Sequence, residues 1–164
     1  MASKVLGLLD LHNSPDLGPL TSSRVLASTS FLGRFAFMDF ALSNFSNSGI
    51  DEVGILVKSH LRSVLKHMGS MQSWNINTKI GRQTIMFNER GNMNRKKNTD
   101  INNFLVNDWV LHEIKAKYII IQPAHVICKI DFEPILKEHI ARDEKVTIIY
   151  KHITNAHKSF ATHN

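Results

Sequence analysis

Three kinds of polar residue in this chain could carry chemistry. Cations are the first. Arg90, Arg95, Lys96 and Lys97 crowd into one Gly/Asn-rich stretch, and Arg24, Arg34 and Lys58 stand singly in other segments. Such groups neutralise the oxygens of a nucleotide or a nucleic acid, although a basic cluster is more often plain solvated surface. Histidines are the second kind. There are nine, and pairs such as His60 and His67 lack a third ligand at metal spacing, so surface or core roles and no structural zinc are expected. Short polar residues next to turns are the third. Ser14 and His125 could each face a ligand, and Thr99, in Asn98-Thr99-Asp100, could cap a helix.

These side chains need a frame, and hydrophobic periodicity supplies one. Residues 4–11 read as a strand, followed by an unusually long loop over 12–34 that holds Pro15, Gly18, Pro19 and several hydroxyls. Residues 35–48 suit a buried helix, with Asn47-Ser48-Gly49 as its stop. A strand follows at 52–57. Ser59 can cap a helix running to residue 69, whose apolar face is Leu61, Val64, Leu65 and Met68. After an irregular middle over 72–97, with a short strand at 83–87, a helix capped by Thr99 or Asp100 is expected through residue 114. A buried strand is expected at 117–122, an amphipathic helix at 132–141 and a strand at 145–150. Alternating strands and helices imply an α/β fold with a mostly parallel sheet. Ligands of such a sheet collect beyond the carboxyl ends of its strands. The loop over 12–34 and the turn over 122–125 are therefore the two candidate rims.

The bulk properties agree with one globular domain. The chain has 164 residues, 43 % of them hydrophobic and 21 % charged. Cys128 is the sole cysteine and has no internal disulfide partner, and the apolar run at residues 5–9 is too short to span a membrane. A cytoplasmic protein with no membrane partner is expected. The net charge of +6 leaves nucleic acid as one possible partner class, marked by a steep salt dependence of binding.

At this point the residues carry a resemblance. Pro19-Leu20-Thr21, Arg24, Asp39-Phe40, Leu42-Ser43-Asn44 and Asn47-Ser48-Gly49-Ile50 fall at the spacing of the glucose-1-phosphate adenylyltransferase family, and residues 118–139 resemble its later strand, turn and helix. The stretches 13–21 and 27–34 look most like the GlgD-type branch. The resemblance implies a Rossmann-like, GT-A-like nucleotidyltransferase sheet flanked by helices. It also implies that only the N-terminal portion is present, as one partial domain over 1–164, without the sugar-binding half and the C-terminal β-helix.

The family reaction is attack of a sugar 1-phosphate on the α-phosphorus of ATP, and it needs positive charge around the phosphates and carboxylates around Mg²⁺. Position by position, this chain departs from that requirement. Leu11, His12, Ser14, Pro15, Asp16 and Leu17 stand where the family has a glycine-rich turn ending Thr-Arg-Leu. Leu26 stands where it has a lysine, and Ala124 or His125 where it has a metal-binding aspartate. No catalytic residue and no metal site is therefore expected. Ser14, Arg24, Thr99 and His125 remain as degenerate nucleotide-binding positions, while Asp39 and Asn44 are expected chiefly to brace α-helical structure.

The resemblance implies a regulatory subunit that joins a catalytic homologue in a hetero-oligomer making ADP-glucose for glycogen synthesis. The homologue would supply the ATP and Mg²⁺ chemistry, and a nucleotide or sugar phosphate could act as effector. An active nucleotidyltransferase using Arg24, Arg34 or Lys58 in a rearranged site is the alternative. A nucleic-acid-binding α/β module is the remote one.

Overall fold

The first strand is apolar on both faces, which is how a strand reads when helices cover it from both sides. In the computed structural model of the chain, which describes residues 4–33, 35–70, 82–88 and 99–152, the elements follow in this order. They are β1 (Val5–Asp10), β2 (Ser30–Phe31), β3 (Phe35–Ala36), α1 (Phe37–Asn47), β4 (Glu52–Val57), α2 (Leu61–Ser70), β5 (Arg82–Phe87), α3 (Asp100–Val106), α4 (Trp109–Ile114), β6 (Tyr118–Pro123) and α5 (Phe132–Arg142), with 3-10 turns at Gly18–Leu20 and Leu26–Ser28. The chain divides into two units, Met1–Glu133 and Pro134–Asn164.

In the first unit the sheet order is β5-β4-β1-β6. Every pair is parallel, with Leu8 in register with Gly54 on one side and Ile121 on the other. The expected α/β architecture is therefore the observed one. One face buries Leu6, Leu8, Leu56, Met86, Val110 and Ile114, with Phe104, Leu111 and Ala116 of the α3–α4 layer packed on them. On the other face α1 lies so close that a Cβ on Gly7 would stand 3.0 Å from the Phe45 ring. Only glycine fits there. Phe45 in turn stacks on Phe132 at 5.5 Å between centroids.

Local chemistry sets the ends of α1. At its start an Asp39 carboxylate oxygen accepts the Ala36 N–H at 2.8 Å. At its end Gly49 takes φ of +70°, and Ile50 N–H donates to Phe45 O at 2.9 Å, which is a Schellman stop. The helix begins at Phe37 rather than residue 35, because Phe35 and Ala36 pair with Phe31 and Ser30. Asn44, one turn from the end, donates its amide to Cys128 O at 3.0 Å and accepts from Ile130 N–H at 3.3 Å. It braces the segment that follows β6.

Four expectations are corrected. The strand expected to be buried at 117–122 is β6, at the end of the described sheet, with Ile119 and Ile121 40 and 63 % exposed. The helix expected from 99 or 100 to 114 is two helices, because the Asn107 side chain turns back to Asn103 O at 2.8 Å and competes with the helix ladder. Leu65 belongs to the solvent side of α2, at 48 % exposure. Residues 145–150 are not a strand. Among the described residues none pairs with them, and Val146, Ile148 and Tyr150 stand exposed at 75, 79 and 83 %. β-Branched content becomes a strand only where a neighbour supplies the ladder. In this second unit His139 Nδ1 lies 2.8 Å from Thr147 Oγ1 and Arg142 pairs with Glu138.

Candidate functional site

The carboxyl ends of β1 and β6 are stitched together, with Ala124 N–H donating to Asp10 O at 2.9 Å. They form the rim where a sheet of this order takes ligands. The chain leaves β1 by a sharp turn in which Asp10 accepts the His12 N–H at 2.8 Å and the Asn13 amide at 3.4 Å. Leu11 N–H reaches Leu56 O at 3.1 Å. The turn points inward: Leu11 is 1 % exposed and His12 5 %.

His12 is held by a polar network. Its Nε2 lies 2.8 Å from Asn103 Nδ2, which also donates to Val57 O at 2.8 Å and approaches Met86 O at 3.3 Å. Asn103 Oδ1 accepts from Asn107 Nδ2 at 2.9 Å, and that amide also reaches Phe87 O at 3.3 Å. Two carbonyls in front of Asn103 fix its amide with the nitrogen toward them, so the imidazole nitrogen facing it must be an acceptor. Burial pushes the His12 pKa below its ordinary value, Lys58 adds to this, and Asp10 and Asp100 oppose it. Burial outweighs the two carboxylates and favours the neutral ring.

The other rim candidates are also used by the protein itself. The Ser14 hydroxyl donates to Leu11 O at 3.2 Å. Asp16 accepts from the Thr21 hydroxyl at 2.7 Å and from Gly18 N–H at 2.9 Å, and these bonds hold its carboxyl below the usual range. Thr99 Oγ1 accepts Asn102 N–H at 3.1 Å, the N-cap of α3. His125 Nδ1 and Gln122 Oε1 are buried without a partner among the described residues. Magnesium does not fit this rim. It asks for carboxylate oxygens, whereas Ala124 offers none, both Asp10 oxygens already accept hydrogen bonds, and a histidine nitrogen is a poor substitute.

Arg24 belongs elsewhere. With Ser23, Ser28, Arg62, Ser63, Lys66 and His67 it lines a cleft of about 410 Å³ between the loop after β1 and α2. Arg62 and Lys66 lie four residues apart, one turn of α2. Among the described residues no carboxylate lines the cleft. Asp39, which touches the cleft residue His67, is 3 % exposed and already engaged, with one oxygen on Ala36 N–H and the other 2.8 Å from His67 Nε2. Leu26 is 4 % exposed and joins the core beneath the cleft wall. Ser14, Thr99 and His125 do not line it. Arg34, Arg90, Arg95, Lys96 and Lys97 fall outside the described residues.

A fold of four parallel strands with helical cover, and a ligand rim at the ends of its first and last strands, is what a nucleotide-handling α/β protein provides. The chain belongs to the nucleotidyl transferase family, whose pattern matches residues 16–159.

Among curated proteins, it is 32 % identical over 154 residues to the glycogen biosynthesis protein GlgD of Geobacillus stearothermophilus, covering 91 % of this chain and 44 % of that protein. It is 28 % identical to GlgD of Bacillus subtilis, covering 84 % and 40 %. It is 31 % identical to the glucose-1-phosphate adenylyltransferase of the same organism, covering 80 % and 35 %. The chain thus spans less than half the length of these relatives. Among the described residues no helix is long and apolar enough to cross a membrane.

Proposed function

We propose that the chain serves as a GlgD-type regulatory subunit of glucose-1-phosphate adenylyltransferase. In that role it supports a catalytic homologue that makes ADP-glucose from ATP and glucose 1-phosphate for glycogen synthesis in the cytoplasm. The observation that carries this reading is the turn after β1. Leu11 and His12 point into the protein there, and the Asp10 and Ser14 oxygens are consumed by the loop, so no backbone cradle faces a triphosphate. The ATP and the Mg²⁺ belong to the partner.

The cleft around Arg24 is where a phosphorylated effector, nucleotide or sugar phosphate, would act. Three permanent cations and three serines surround a volume fit for a small anion. Neither nucleic acid nor membrane is part of this reading.

The test is ADP-glucose formation from ATP, glucose 1-phosphate and Mg²⁺ by the chain alone, then mixed with the catalytic homologue. Silence alone with a changed rate or KM of the homologue is the expected result. Turnover by the chain alone at a rate like the homologue's would favour an active, rearranged site and end the regulatory reading.

A further inference from the structure

The strand-end crevice does more than lack nucleotide-binding groups. In sheets of this order the phosphates of a nucleotide lie against the turn after the first strand, and its ribose reaches the end of the second. Here those two walls are the β1 turn, carrying His12, and the end of β4, where Val57 O lies. They are bridged from within. His12 leans from one wall, Asn103 touches it and Val57 O together, and Asn107 continues the chain to Phe87 O at the end of β5.

Asn103 Nδ2 has His12 Nε2, Val57 O and Met86 O within reach, and Asn107 Nδ2 has Asn103 and Phe87 O. Asn103 is fully buried, and Asn107 and His12 are 7 % and 5 % exposed.

We propose that His12 is a built-in occupant of the nucleotide crevice, and that the His12–Asn103 pair decides specificity by making this chain refuse nucleotide there. The refusal comes from occupancy by a buried imidazole held on Asn103, and it holds whether or not the Arg24 cleft takes an effector. It follows that the position vacated by shortening His12 is itself a site for a small neutral nitrogen heterocycle. Asn103 would be its donor.

Nuclear magnetic resonance of the wild-type chain tests the first half. The probes are the His12 ring protons and the side-chain amide protons of Asn103. Titration with ATP, ADP or ADP-glucose to millimolar concentration is expected to leave both unmoved. A saturable shift of either by any of the three would overturn the proposal.

Thermal unfolding tests the second half. His12→Gly is expected to lower the midpoint by about 5–10 °C, since it opens a cavity and strands a buried donor. Free imidazole is expected to restore at least half of that loss in a saturable way. The same imidazole should give no recovery when Asn103→Leu is added to His12→Gly. A His12→Gly protein that folds and gains nothing from imidazole would overturn the proposal. If it does not fold, the wild-type titration still decides.

Discussion

The two polar regions of the first unit solve opposite problems with similar groups. At the strand ends, His12, Asn103 and Asn107 are buried and bonded to one another and to strand-end carbonyls. In the cleft, Arg24, Arg62 and Lys66 face one another with no acid among the lining residues. A satisfied network stabilises the fold and offers nothing to a ligand. Unanswered like charges cost the fold a little and attract an anion. On the proposed reading, binding would move from the sheet's usual rim to its flank.

The largest expected effect comes from breaking the satisfied side. Asn103→Ala should destabilise the chain by about 3 kcal/mol, because it strands Val57 O, His12 Nε2 and Asn107 together. Urea unfolding measures it, and a loss below about 1 kcal/mol would mean that water or repacking replaces the amide. Next comes the flank. Lys66→Ala should weaken inorganic phosphate binding about tenfold, equivalent to about 1.4 kcal/mol, and the weakening should shrink as salt is added. The unfolding midpoint should stay put or rise. Calorimetric titration alongside thermal scans would show whether binding and stability separate in this way.

Thr99→Ala lies between the two regions and should cost about 1 kcal/mol through loss of the α3 cap. Phosphate affinity should not change, and a change would tie Thr99 to a ligand after all. The smallest effect concerns pH. The folded-state pKa of His12 lies below its ordinary 6.5, so the unfolded chain binds the proton more readily. The stability due to this group is present above pH 6.5 and falls as the pH is lowered below it. Protonation puts a donor against Asn103 Nδ2. Unfolding free energies measured from pH 7 downward should therefore show a decline that Asn103→Leu blunts.

Much of the frame was legible in the sequence because it rests on local pattern. The strand at 52–57, the Gly49 stop and the Thr99 cap each follow from a few adjacent residues. The strand expected at 145–150 failed because no strand among the described residues supplies its ladder. The single helix expected through 114 failed because Asn107 bonds to its own helix.

At the site, the loss of the glycine turn was readable. What His12 bonds to was not readable, since Asn103 lies 91 positions away. Arg62 and Lys66 did carry a signal, being four apart opposite the apolar face of α2. Only the fold shows that they meet Arg24.

The place of β1 in the sheet bears on how the chain is made. Although it is first in sequence, it is an inner strand, and one of its neighbours, β6, begins at Tyr118, opposite Val5. At a synthesis rate of about 5–20 residues per second, β1 leaves the ribosome roughly 5–20 s before that neighbour exists. During this interval its apolar edge can be covered on one side only, by β4. The nascent chain must therefore keep Leu6, Leu8 and Leu9 from other strands while it waits, and a chaperone that binds short apolar segments would find its natural target there.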